Sequence, residues 1–375
     1  GFKYLENYEL WLVFKLCQSR NRLMRAYRAN IKEIRFYAAL DEKGPYKPWF
    51  AALGALGYWI IGQFGTKPPR LLARERIEKE EPAINTDDVA GGIEYRDGIL
   101  IDNDARFVFS FVRSAIEAGA AAANYVELVS AERDGDRWLA QLRDVDTGEE
   151  FQTTARTIVN AAGPFVDETN QGWGMTTEHR IVYSKGIHLI VPRLTTKHHD
   201  KVLAFYDDTE RLFYVIPMGR RSVIGTTDTR VDTPFTEVND DDIDFLLGQI
   251  NARMDLDKPL DRGAIIDSRT GVRPLVVATD GSDQTDVDWT KLSRKHAVET
   301  DHRQRVVTIF GGKLTDCLNV GEEVAAEIED LGIPLERDLH NWYGEPAKAT
   351  RQEFFRQARL MKLDRVRSKP EVEPL

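Results

Sequence analysis

The chain predicts a mixed α/β (α+β) fold with two domains, and three observations predict it. The first is a strand, turn and helix near the C-terminal end. The apolar run Val306 to Phe310 leads into Gly311-Gly312, and a helical pattern follows from Leu314 through Leu318 and Val324. The second lies between residues 180 and 300. His188–Pro192, Lys201–Phe205, Leu212–Pro217 and Ser222–Gly225 recur at short, regular spacing with turn residues between them, as an antiparallel sheet requires. The third is a middle stretch in which a helix, a three-stranded meander and a short buried strand follow one another. Asp102 to Arg106 caps a helix that runs to Ala118 and closes at Gly119. Val126–Val129, Trp138–Leu142 and Glu150–Thr154 form the meander. Thr157–Ala162 is the buried strand, ended by Gly163-Pro164. A chain of 375 residues is long enough to bury two cores.

Composition narrows the function. Hydrophobic residues make up 42% and charged residues 30%, the balance of a globular protein. A net charge of -10 argues against non-specific nucleic-acid binding, which needs a basic face. An anionic substrate must therefore be drawn by a local cluster of Lys and Arg. Cys17 and Cys317 lie far apart and have neither metal nor redox spacing, which fits a reducing compartment and predicts no metal site.

Taken in order, residues 5–40 read as helical, with a basic side at Arg20, Arg22, Arg25 and Arg28. Residues 48–65 carry no charge. They are short for a membrane span and glycine-rich, so the choice lies between a buried connecting helix and contact with a bilayer surface. Residues 71–85 read as a short helix and a loop, and Gly92–Tyr95 and Gly98–Asp102 as two short strands. A helix with an acidic first turn starts at Asp240. Thr350 to Met361 reads as an amphipathic helix, and Val366 to Leu375 as a disordered end.

Three residues stand out chemically. Lys313 puts a full positive charge at a helix start, against the dipole, which favours a functional role over a structural one. Arg273, in Thr270-Gly-Val-Arg-Pro-Leu275, is followed by a proline that restricts its backbone to extended forms. Its guanidinium stays charged, so it suits orienting and neutralising rather than base chemistry. His188 opens an apolar strand and is the best base candidate by pKa.

Four segments together, in their order and separation, resemble the FAD-dependent (respiratory) glycerol-3-phosphate dehydrogenases of the glycine/D-amino-acid oxidase-like flavoproteins. They are Gly1-Phe-Lys-Tyr-Leu5, Val159-Asn-Ala-Ala-Gly-Pro164, Thr270-Gly-Val-Arg-Pro-Leu275 and Phe310-Gly-Gly-Lys-Leu-Thr315. The resemblance runs from residue 1 to about residue 335. It implies an FAD/NAD(P)-binding-like domain from 1–20, 86–175 and 300–335, lacking its first βαβ unit. An inserted antiparallel-sheet substrate domain comes from 21–85 and 176–299, and 336–375 begins a further helical domain. No G-x-G-x-x-G fingerprint occurs, so the chain looks truncated at both ends.

The implied activity is oxidation of sn-glycerol 3-phosphate by hydride transfer to FAD, with electrons passed to quinone. The implied place is the cytoplasmic face of the inner membrane, held peripherally through 48–65, or otherwise the cytoplasm, with a homodimer left open. Arg273, His188 and Lys313 are the implied catalytic residues, and Lys3, Tyr4, Arg294 and Thr226 the substrate contacts. On the cofactor side stand Val126, Asn160, Ala161, Gly163, Gly311, Gly312, Lys313, Leu314 and Thr315. Thr315-Asp316 departs from the family's usual Thr-Thr and leaves the contacts there open. Two alternatives also stay open: another amine- or hydroxy-acid-oxidising member of the superfamily, and a non-catalytic fragment that binds no flavin.

Overall fold

A computed structural model describes residues 5, 9–195, 200–279, 295–336 and 348–361. Lys3, Tyr4, Arg294 and the expected disordered end lie outside the described residues.

The chain enters as α1 (Leu10–Ala26) and stops at Tyr27, whose N–H closes the last turn on Leu23. It then forms β1 (Ile31–Asp41), a strand where the sequence pattern predicted more helix. The reason lies in its burial. Tyr37 and Ala39 face one core cluster and Ala38 and Leu40 another, so the strand is covered on both sides and shows no alternation of polar and apolar residues. After α2 (Pro48–Ile61), β2 (Arg70–Leu72) and α3 (Arg74–Glu80) comes β3 (Val89–Leu100), a single long strand where two short ones were expected. Residues on either side of Arg96-Asp97 keep pairing with β1 without a break, so no turn forms there.

The predicted helix is α4 (Asp104–Glu117), capped by Asn103 Oδ1, which accepts from the Arg106 N–H. The meander is β4 (Val126–Asp134), β5 (Arg137–Asp144) and β6 (Glu150–Ala155), in that order in one sheet. Next come β7 (Ile158–Asn160) and α5 (Val166–Gly172). The strand-rich region supplies β8 (His179–Pro192), β9 (Lys201–Tyr206), β10 (Leu212–Met218), β11 (Arg221–Gly225) and β12 (Thr229–Val231). It continues with α6 (Asp240–Arg253) and β13 (Asp267–Ala278). Then follow β14 (Ala297–Asp301), β15 (Val306–Phe310), α7 (Cys317–Asp330) and α8 (Lys348–Leu360).

The large sheet has nine strands, β12-β8-β11-β10-β9-β1-β3-β2, with β13 on the free side of β8. Its pairings are antiparallel except for β1 with β9. Thus β3 belongs to this sheet although it falls within 86–175. One face packs Tyr37, Leu203, Phe213 and Ile224 against Ile77 of α3 and Ile250 of α6. The other packs Ala38, Leu40 and Ile93 against Leu12, Val13 and Leu16 of α1 and Ala51, Ala55 and Tyr58 of α2. The small sheet is β14-β15-β7, in which β15 and β7 run parallel.

Candidate active site

The site is built where the carboxyl ends of β7 and β15 meet the middle of β8 and β13. Parallel strands that end together leave backbone groups unpaired at their tips, where ligands of such sheets settle. At the tip of β15, Gly311 and Gly312 take φ of +62° and +105°. A Cβ on Gly311 would lie 2.5 Å from Val276 Cγ2 and 3.2 Å from the Pro274 carbonyl. Only glycine lets the turn press so closely on the strand that carries Arg273. Lys313 follows in extended backbone, and a short 3-10 turn, Leu314–Asp316, opens α7.

Lys313, Leu314 and Thr315 line one wall of a cavity of about 200 Å³. Leu16, Arg20 and Leu23 of α1, Phe107 of α4, Tyr58 and Asp97 line the rest. Arg20 is buried there and held by Tyr58 Oη at 3.0 Å and Asp97 at 3.2 Å.

At the tip of β7, the buried Asn160 side chain donates to the Val166 carbonyl at 3.1 Å and to Asn170 Oδ1 at 2.7 Å. It thereby ties the strand to α5. Ala161 is exposed, and Gly163 has φ of +58° with open space where a Cβ would stand. Val126 opens β4, half-buried.

The second half of the site is one face of the β8–β13 ladder. Ser184, Gly186 and His188 stand opposite Arg273, Gly271 and Arg269, so the pleat puts all six on the same side. Gly186 makes this possible: a Cβ there would sit 2.2 Å from Arg273 Nη2, so the guanidinium lies over bare backbone. Arg273 Nη2 donates to Thr226 Oγ1 at 2.7 Å, and Nη1 to Ser184 Oγ at 3.3 Å, with Asp228 3.4 Å away. Asp228 in turn accepts a short hydrogen bond from Ser184. Arg273 is therefore a fixed, partly exposed cation in a strand, and Thr226–Asp228 is the loop that fixes it.

The His188 ring packs on Gly225, where a Cβ would come within 2.7 Å of Cδ2. Burial pushes its pKa down to about 4, helped by the charges of Arg269 and Arg273, while Asp104 of α4 acts the other way. The imidazole is neutral at physiological pH.

The structure thus brings Arg273, Thr226 and His188 onto one face and sets the Gly311–Gly312 turn against the same strand. Lys313 lines a cavity on the α1 side of that turn. The sequence gives no sign of Arg269, and it shows Gly186 and Asp228 only as members of the segments around His188 and Thr226, without tying them to Arg273. Arg269 is legible afterwards, because it precedes Arg273 by four residues and in a strand shares its face. Gly186 is legible as a glycine inside an apolar strand, which marks close approach.

Comparison with known proteins shows the family and the fold. The description of the DAO family, "FAD dependent oxidoreductase", matches residues 8–318. The chain belongs to that family of flavoproteins. Among curated relatives, the mitochondrial glycerol-3-phosphate dehydrogenase of Macaca fascicularis is 28% identical over 86% of this chain and 45% of its own length. Glycerol-3-phosphate dehydrogenase 2 of Mycobacterium tuberculosis is 31% identical over 84% of this chain and 52% of its own. The chain spans about half the length of these relatives. The structure of glycerol-3-phosphate dehydrogenase from Bacillus halodurans, complexed with FAD, superposes with a TM-score of 0.70 at 19% identity, over 93% of this chain and 62% of that one. That likeness supports the fold.

FAD is the cofactor of this family, and the two strand tips would offer it bare backbone. The observation is the glycine cradle. Gly163 has open space where a Cβ would stand, while Gly311 packs on Val276, so neither strand tip puts a side chain in the way of a flat ligand.

Proposed function

We propose that the chain is the catalytic part of a flavin-dependent dehydrogenase that oxidises sn-glycerol 3-phosphate to dihydroxyacetone phosphate. One arrangement carries the reading: a neutral imidazole and a fixed guanidinium share one face of the β8–β13 pair, and the Gly-Gly-Lys turn packs on β13 at Val276, which points to the other face. The names of the curated relatives support the substrate.

FAD, when bound, supplies the acceptor for the hydride that leaves C2 of the substrate. His188 is kept neutral by burial and by two arginines, and a ring nitrogen takes the proton of the C2 hydroxyl. Loss of that proton and hydride leaves the ketone. Arg273 holds the anionic substrate without losing its own proton, and Thr226 and Ser184 keep its fork in one orientation. Lys313 adds positive charge beside the turn.

Electrons then go to a quinone, with α2 lying on a bilayer surface. Trp49, Phe50, Leu53, Leu56 and Ile60 of that helix are exposed and fall on one apolar side. Among the described residues no helix is long and apolar enough to cross a membrane.

The decisive experiment is visible absorbance after incubation with FAD and gel filtration. Retained yellow flavin that bleaches on adding sn-glycerol 3-phosphate, but not sarcosine or glycerol, is the expected result. Bleaching by sarcosine would overturn the substrate assignment, and a colourless chain would overturn activity in this chain. Sedimentation with anionic phospholipid vesicles, abolished by Leu53→Glu, tests the membrane contact.

A further inference from the structure

Asp316 stands where the sequence departs from the family's usual threonine, and a carboxylate beside an anion site needs an explanation. The structure supplies one. Asp316 is buried, and its two oxygens take three side-chain contacts. His296 Nδ1 lies 3.0 Å from Oδ2. Ser19 Oγ of α1 donates to Oδ1 at 3.0 Å, and Asn319 Nδ2 of α7 to the same oxygen at 2.6 Å. Asn319 also donates to Ser19 at 2.8 Å. The other ring nitrogen of His296, Nε2, reaches Glu323 at 2.8 Å. None of these groups touches the β8–β13 face that carries Arg273 and His188.

The network joins three elements. Ser19 belongs to α1, Asp316 ends the 3-10 turn after Lys313, and His296 lies just before β14. The Asp316 N–H is also bonded to the Lys313 carbonyl at 2.9 Å. On the other side of the turn, a Cβ on Gly312 would be 3.4 Å from His296 Cβ, and one on Gly311 3.5 Å from the Lys295 carbonyl. The Gly311–Thr315 segment is therefore gripped from behind by His296 and from its end by Asp316. Two glycines in a row would otherwise leave this turn the most freely rotating backbone in the site.

We propose that Asp316 and His296 form a charged clamp that positions the Gly-Gly-Lys turn for its ligand, resting on the reading that this turn receives the ring end of FAD. They are positioning residues: they act through the turn. The charges are consistent on both sides. The hydrogen bond to Asp316 raises the His296 pKa against the pull of burial, with Glu323 adding to it. Burial alone would raise Asp316, but its bonds from His296, Asn319 and Ser19 outweigh that and hold it below the usual carboxylate range. Facing His296 are Asp316 from the 3-10 turn and Glu323 from α7. On the opposite wall α1 presents Lys15, Arg22 and Arg25, with Arg28 just beyond its end, and Arg22 is paired with Glu322. Because the folded His296 pKa lies above its unfolded value, the clamp is fully formed below about pH 6.5 as long as Asp316 stays ionised, and it is released as pH rises through the folded value of His296.

The test uses the full chain with Asp316→Ala, Asp316→Asn and His296→Gln. Amide hydrogen exchange at Gly312 to Thr315, measured without flavin, is expected to quicken about tenfold in Asp316→Ala and less in Asp316→Asn, which keeps an acceptor for Ser19 and Asn319. FAD affinity, read by flavin fluorescence, should weaken about tenfold in the same order. The native chain should also lose affinity as pH rises from 6 to 9, a dependence that His296→Gln abolishes. Unchanged exchange in Asp316→Ala would overturn the clamp. A chain that binds no FAD, yet shows the faster exchange, would overturn the flavin reading and leave the clamp standing. Equal exchange at both pH extremes in the native chain would overturn the charged form of the clamp.

Discussion

The large sheet and the small one are built to different standards of burial. Around β1 and β9 both faces of the large sheet are sealed, one by α3 and α6 and the other by α1 and α2, and side chains such as Tyr37, Leu203 and Ile224 have no exposed surface. Around the small sheet and the meander, apolar side chains face outward. α4 buries only Phe107 and leaves Val108, Phe109, Val112 and Ile116 exposed. Leu128, Val129 and Phe151 of the meander are exposed as well, and among the described residues β7 pairs only with β15. The large sheet therefore holds stability of its own, while the half that carries the glycine cradle gains most from whatever it binds. Arg273 and His188 sit on the firm side of that divide, and the Gly-Gly-Lys turn on the soft side.

Substitutions can break or sharpen this contrast. The largest effect should come from Glu81→Ala, which strands Lys201. That ammonium is almost fully buried, lies over the Tyr37 ring and has Glu81 as its carboxylate partner at 3.3 Å. Leaving it uncompensated should cost about 3–5 kcal/mol in urea unfolding. A loss under about 1 kcal/mol would mean that the large sheet is not the firm half.

Arg273→Lys comes next. A point charge cannot reproduce the fork over Gly186, and kcat/KM for glycerol 3-phosphate should fall about a hundredfold with the melting temperature little changed. Equal falls in activity and stability would show that Arg273 serves the sheet instead.

Arg269→Gln tests the pH behaviour. It removes one charge that depresses His188, so the acid limb of kcat/KM should move upward from about 4. In the native chain the same depression means that His188 contributes stability above its unfolded pKa, lost as pH falls from about 6.5 toward the folded value. An unmoved limb would assign the proton to another group. The smallest change is expected for Val112→Ser on the exposed face of α4, within about 0.5 kcal/mol. A larger cost would place that face against a partner.

How far the sequence carried depends on whether a signal was local. The β15 strand with its Gly-Gly turn, the meander, and the capped helix α4 were legible because each carries its own punctuation: glycines, Asp-Gly, or Asn-Asp before an apolar period. β1 was not. Tyr27 ends α1 without a glycine or proline, and the following apolar run is continuous because neighbours cover both faces. β3 was split for a similar reason, since Arg96, Asp97 and Gly98 look like a turn until the pairing with β1 is seen. In the site, residue types and motifs pointed to Arg273, His188 and Lys313. Their partners did not show, because Asp228, Gly186 and His296 reach them only through tertiary contact. Asp316 looked out of place in the sequence, and only the contacts from Ser19, Asn319 and His296 account for it.

The parallel pairing of β1 with β9 also shapes how the molecule must be made. The ion pair between Arg35 and Asp200 at the start of that ladder joins residues 165 apart. While the chain emerges from a ribosome, β1 and β3 can zip together early, but the far edge of β1 has to wait until β9 is synthesised. During that interval an apolar strand edge is open to wrong partners. The sheet that is the firmest part of the finished protein is thus its most vulnerable part at birth, and slow translation or a lack of chaperones should be felt there first.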